Sequence, residues 1–172
     1  NDMISRFSDD LLENLSAEAF YRDEQVTSPV RPGEISQQDQ QRVRDQLHAA
    51  LASTTNNNWF GELVTEPRYD QDVDEEQLAT AVSDLIIGEC IVQLNPAAKL
   101  AWQQNGHNVT VYANGESQVF TGAVTSILAT LCGEWLIESA ELDGVLANAE
   151  GIQLLHYLLE RGCIYVEPLN AT

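Results

Sequence analysis

Apolar residues recur along this chain in two rhythms, one of about 3.6 residues and one of two, and the alternation between them outlines its elements. The stretch SDDLLENLSAEAFYR, residues 8–22, opens on a serine suited to capping and on early acids, and Leu11, Leu12, Leu15 and Phe20 supply apolar contacts, which predicts a short helix. TSPVRPGEIS, with two prolines and a glycine, predicts an extended connector. A second helix is predicted from Ser36. Asp39 makes its first turn acidic, and Val43, Leu47, Ala50 and Leu51 repeat at i, i+4, i+7 and i+8 on an otherwise polar rod. NNNWFGELV resumes helical character with Trp59, Phe60, Leu63 and Val64, and the adjacent aromatics read as core.

The polar, acidic TEPRYDQDVDEE is the clearest boundary, and Leu78, Val82, Leu85 and Ile86 then start a new helical stripe. CIVQLN, KLAWQQ and HNVTVYANGESQVF predict short strands forming one small antiparallel sheet. Asn114-Gly115 marks a hairpin, because both turn positions need positive φ. Val109, Val111 and Ala113 share one face of it, with Thr110, Tyr112 and Asn114 on the other. Three helices should follow, marked by Val124, Ile127, Leu128 and Leu131, by Leu142, Val145 and Leu146, and by Ile152, Leu155 and Leu159 ending at Gly162. CIYVEP can rejoin the sheet as a last strand. Helices on a small sheet with an Asn-Gly hairpin suggest a winged-helix-like α+β module.

A winged helix invites the question of DNA, and charge answers against it. The chain carries 27 Asp and Glu against 8 Lys and Arg, a net charge of -19. Nucleic-acid binders neutralise phosphates with clustered cations, yet from residue 77 onward the only ones are Lys99 and Arg161. The acidic surface is either solubilising or attractive to basic protein partners. A hydrophobic content of 44% over 172 residues is enough for one or two modest cores. No apolar run approaches the roughly 20 residues that span a bilayer, and NDMISRFSDD lacks the layout of a signal peptide, so a cytoplasmic setting without membrane contact is expected.

Candidate chemistry is sparse. His48, His107 and His156 form no His-x-Asp or His-x-x-x-His arrangement, so no metal site is readable. His48 reads as solvated and His156 as core or semi-buried. Cys90, Cys132 and Cys163 lack a CxxC pair and read as core thiols. There is no phosphate loop or GxSxG elbow, and the glycosylation triplets at Asn14 and Asn108 mean little alone.

Read in order, Tyr21-Arg22-Asp23, the Pro29 to Pro32 connector, WFGELV at 59–64, the acidic linker, VYANGE at 111–116 and LLERGCIYVE near the end carry a resemblance. The whole chain resembles the carboxyl-terminal half of bacterial cupin-type JmjC ribosomal oxygenases. That resemblance implies a parent enzyme that is an Fe(II)- and 2-oxoglutarate-dependent hydroxylase of a ribosomal protein, with arginine the bacterial target. Its catalytic double-stranded β-helix supplies iron through a His-x-Asp motif and a distant His, which have no counterpart in this sequence. No catalytic, cofactor-binding or metal-binding residue is therefore carried over, and this chain alone is expected not to be an enzyme. Its start at Asn1 fits a piece of a longer protein.

The resemblance also implies a homodimer formed through the helices between the two domains, and a winged-helix-like end that is not a proven DNA reader. The expected organisation is a helical dimerisation region over 1–66, an acidic linker over 67–76 and a winged-helix-like domain over 77–172. Val43, Leu47, Ala50, Leu51, Trp59, Phe60 and Leu63 are the expected dimer contact, with an intrachain three-helix core as the alternative reading. Partners would be a second copy and the parent's basic ribosomal substrate. The alternative function is a free-standing acidic adaptor whose winged-helix-like module binds a basic protein.

Overall fold

The computed structural model describes residues 2–14, 31, 33–53, 58–68, 74–87 and 90–169. Residues 15–22 of the first expected helix, the Tyr21-Arg22-Asp23 motif, 27–30 and 32 of the connector, and 69–73 of the acidic linker lie outside them. The chain divides into two compact units, Asn1–Trp59 and Phe60–Thr172.

The first unit holds α1 (Asp2–Asn14) and α2 (Gln37–Ser53). Helix α1 starts upstream of the expected Ser8 cap, because Phe7 and Leu11 form a half-buried i, i+4 pair that runs through that serine. Ser8 is instead helical, its Oγ donating to the Ile4 carbonyl at 2.7 Å. Phe7 packs on Trp59, ring centroids 5.3 Å apart. Helix α2 starts where expected, through a reciprocal cap. The Asp39 N–H donates to Ser36 Oγ at 3.1 Å, and Ser36 N–H and Oγ–H donate to Asp39 Oδ2 at 3.1 and 2.6 Å.

The second unit begins within α3 (Asn58–Thr65), followed by α4 (Glu75–Ile87), β1 (Cys90–Leu94), β2 (Leu100–Asn105), β3 (Asn108–Ala113) and β4 (Glu116–Thr121). Then come a 3-10 turn at Gly122–Val124, α5 (Thr125–Glu134), β5 (Leu136–Ile137), α6 (Ser139–Leu146), α7 (Ala149–Glu160) and β6 (Ile164–Pro168). The architecture is α+β with a winged-helix-like arrangement, as the patterning predicts.

One expectation is corrected: the strands form two antiparallel sheets, β5-β1-β6 and β2-β3-β4, rather than one. The reason lies at Asn95. Its side-chain oxygen accepts from Ala97 N–H at 2.9 Å, its carbonyl accepts from Ala98 N–H at 3.0 Å, and its amide donates to the Gly162 carbonyl at 2.9 Å. This turn ends β1 and sends the chain away before β2 begins. The Asn-Gly hairpin therefore belongs to the second sheet. Asn114 and Gly115 both have positive φ, 48° and 88°, and Ala113 pairs with Glu116 across the two-residue turn.

Two helical stripes keep most of their expected residues, but each loses one to solvent. On α4 the packed residues are Leu78, Ala81, Val82 and Leu85, while Ile86 is exposed. On α7 they are Leu154, Leu155, Leu158 and Leu159, while Ile152 faces out. Helix α7 ends as expected, Gly162 at φ 64° closing a Schellman motif in which Cys163 N–H reaches the Leu158 carbonyl at 2.8 Å. The core of this unit joins Val92 and Ile137 of the first sheet, Val109 and Val111 of the second, and Leu128, Leu131, Leu142, Leu154 and Leu158 of the helices.

The division between units falls ahead of the expected boundary after residue 66, because α3 clasps the hairpin. Ser117 Oγ donates to Glu62 Oε1 at 2.6 Å, Gly115 N–H donates to Thr65 Oγ1 at 3.2 Å, and Lys99 Nζ donates to the Glu66 carbonyl at 2.7 Å. Gly61 lies against the Tyr112 ring. The second face of the hairpin is covered in this way at Tyr112 and Ser117, while Val119 on the same face stays exposed.

Candidate interaction surface

Helix α2 presents the expected stripe to solvent. Val43, Leu47 and Leu51 are 41%, 58% and 43% exposed, at i, i+4 and i+8 of one face, and Ala50 is half-buried. Polar pairs flank the stripe. Arg42 donates to Asp39 at 2.8 Å and Gln41 to Asp45 at 2.9 Å. Single exposed apolar residues need no explanation, but three in register on one helix form a continuous patch. On α3, Trp59 and Leu63 are half-buried while Phe60 and Val64 are exposed. Of the two aromatics read as core, Trp59 is half-buried against Phe7, and Phe60 is corrected to exposed, being the residue immediately ahead of Gly61 and turned off the Tyr112-facing side.

Helices α6 and α7 form a helix-turn-helix. Asn148 caps α7 through Oδ1, which accepts from Glu150 N–H at 3.0 Å. Gly151 permits the close crossing, since a Cβ there would collide with the Val145 carbonyl. The outward face of α7 carries Ile152, Gln153, His156 and Glu160. His156 is corrected from semi-buried core to exposed, its Nδ1 lying 3.5 Å from Glu160. Arg161 follows, 3.5 Å from Glu116 and over the Tyr157 ring. Tyr157 is buried, and its hydroxyl donates to the Glu116 carbonyl at 2.9 Å. Burial pushes its phenol well above the ordinary range.

A third feature escaped the patterning. An open groove of about 880 Å³ runs between Asp74 with α4, which contributes Glu76 and Asp84, and β6, which contributes Ile164, Tyr165 and Val166. The run of acids was legible in the sequence, but the strand beside it depends on a pairing between residues some seventy apart.

Two thiols meet the core expectation and one does not. Cys90 and Cys163 are buried, whereas Cys132 on α5 is exposed. Burial pushes the Cys163 thiol up to about 12, and burial together with the Asp84 carboxylate raises Cys90. Among the described residues no three His, Cys, Asp or Glu side chains are grouped to hold a metal ion, and no helix is long and apolar enough to cross a membrane.

The family model described as ROXA-like winged helix matches residues 39–165. No curated protein matches the chain in sequence. Several solved structures of an Escherichia coli protein, the ribosomal oxygenase YcfD, are similar in fold. A crystal structure of it shares 22% identity at a TM-score of 0.69, covering 96% of this chain and 45% of that one. A complex with cobalt and 2-oxoglutarate shares 23% at 0.66, covering 96% and 45%. A complex with cobalt and succinic acid shares 23% at 0.67, covering 95% and 45%. The chain spans less than half the length of these structures.

Proposed function

The chain belongs to the ROXA-like winged-helix family, and from that premise we propose that it is the carboxyl-terminal, non-catalytic part of an Fe(II)- and 2-oxoglutarate-dependent ribosomal protein hydroxylase, serving dimerisation and protein interaction. The observation that carries the reading is the family match over residues 39–165, combined with likeness to less than half of a ribosomal oxygenase. What supports reading Fe(II) and 2-oxoglutarate as bound by a catalytic domain outside these residues is the neighbour's complex with cobalt and 2-oxoglutarate, less than half of which this chain matches. No step of oxygen chemistry is assigned to them.

The role left to this chain is assembly. Small helical regions bury too little apolar surface to be stable alone, and oligomerisation is a usual remedy. The exposed Val43, Leu47 and Leu51 stripe supplies that surface in a second copy, with Trp59, Phe60 and Leu63 as further contacts. The outward face of α7 does not suit a duplex, since its charged residue Glu160 opposes phosphate and Arg161 is engaged by Glu116, and the chain's net charge of -19 suits a basic ribosomal protein instead.

Light scattering at tens of micromolar tests the assembly role, with twice the 19.0 kDa protomer mass expected and a clean monomer refuting it. Iron analysis and succinate formation test the non-catalytic role. Stoichiometric iron with turnover of 2-oxoglutarate by this chain would refute that part. The adaptor reading is favoured only by the charge of -19, and an intact mass of the native protein equal to this chain's would select it.

A further inference from the structure

The groove between α4 and β6 is bounded by an open strand edge. In the sheet β5-β1-β6, β6 is an outer strand, paired with β1 on one side. Which of its backbone groups face outward follows from two hydrogen bonds. Leu94 N–H donates to the Trp135 carbonyl at 2.8 Å, and Asn95 N–H donates to the Cys163 carbonyl at 2.8 Å. Extended by one residue, the β1 registers place Leu94 opposite Trp135 and Asn95 opposite Cys163. Backbone groups on antiparallel strands alternate sides residue by residue. Gln93 and Ile91 therefore bond toward β6, to Tyr165 and Glu167. Ile164 and Val166, one position out of phase, direct N–H and C=O away from β1. Among the described residues no hydrogen bond is made to those groups. Pro168 shares their phase, so its missing N–H falls on the open side, where proline is tolerated.

The groove lies along that edge. Ile164, Tyr165 and Val166 all line it, although successive strand residues point to opposite faces, so the strand's margin is what borders it. The opposite wall carries Asp74, Glu76 and Asp84, and no Lys or Arg is among the described lining residues. An exposed edge with unmet donors and acceptors is a template for one more strand, and here the template is walled with negative charge.

We propose that this groove binds an extended basic segment of a protein partner by strand addition. The segment pairs its backbone with Ile164 and Val166 and directs alternate Arg or Lys side chains to Asp74, Glu76 and Asp84. This deepens the protein-interaction role proposed above and rests on it, placing the basic partner on β6 and α4 rather than on α7.

The test uses the full 172-residue chain and a fluorescent peptide of about nine residues alternating Arg with Val and Thr, read by anisotropy at physiological ionic strength. Three neutralised acids, Asp74→Asn, Glu76→Gln and Asp84→Asn, should weaken binding by about tenfold, while Glu134→Gln, Glu138→Gln and Asp143→Asn together change it less than about twofold. Val166→Pro removes an outward donor and leaves the β1 ladder intact, so it should also weaken binding by about tenfold, with circular dichroism checking the fold. Two peptides of unchanged charge, N-methylated on one or the other set of alternate residues, probe the edge without altering the protein. One set should abolish binding and the other spare it. Equal binding of both, or equal loss in the two acid triples, overturns the groove while leaving a basic partner elsewhere on the chain. Absence of binding by the unmodified peptide overturns the proposal together with the basic-partner reading.

Discussion

Gly61 of α3 lies so close to the ring of Tyr112 on β3 that a Cβ added at Gly61 would fall inside the ring's van der Waals surface. The helix and hairpin thus meet through backbone and ring, and Thr65, whose Oγ donates to the Gly61 carbonyl at 2.8 Å, holds the next turn in place. Gly61→Ala should destabilise the second unit by about 1–3 kcal/mol, the usual cost of overpacking. Combining it with Tyr112→Leu should recover part of the loss in a double-mutant cycle followed by urea unfolding. Additive losses would show that the helix and the ring do not share the space.

Replacing Leu47 and Leu51 with Asp places two unpaired carboxylates in the proposed dimer contact. Burying them without partners costs roughly 3 kcal/mol or more. Light scattering should then report a monomer, while far-ultraviolet dichroism stays native. A dimer that survives the double substitution is held by some other surface.

The three thiols should separate by accessibility. Desolvation raises all three thiols, Cys163 to about 12, but Cys132 is exposed whereas Cys90 and Cys163 are buried. Reagent access therefore decides, and a maleimide should label only Cys132 in the native chain and all three after unfolding. Mass spectrometry of the labelled peptides checks this.

Hydrogen bonds from the Ser36 hydroxyl and backbone N–H, with the Arg42 charge, hold the Asp39 carboxyl below its usual 3.8. Because the folded value is depressed, the stabilisation is complete above about pH 3.8 and disappears as pH falls through the folded value. The Asp39 carboxyl resonance should therefore titrate below 3.8 in the wild type and move toward it in Ser36→Ala. That variant should also loosen the first turn of α2 by about 1 kcal/mol.

What residue order determined unaided is local. The α2 stripe, the α7 stop at Gly162 and the Asn114-Gly115 hairpin depend on neighbours within a few positions, where periodicity, capping and positive φ act directly. The resemblance to ribosomal oxygenases was likewise carried by short motifs in order. Tertiary structure decided the rest, because each remaining feature joins residues far apart in sequence. Ser8 was absorbed into α1 once Phe7 had Trp59 to pack on. The Asn95 turn, tied to Gly162, split one expected sheet into two, and β6 became an outer strand beside the acids of α4. Phe60 stayed half exposed because Gly61, its neighbour, is the position on α3 that meets the Tyr112 ring. Pattern shows which residues seek burial, but partners distant in the chain determine which of them obtain it.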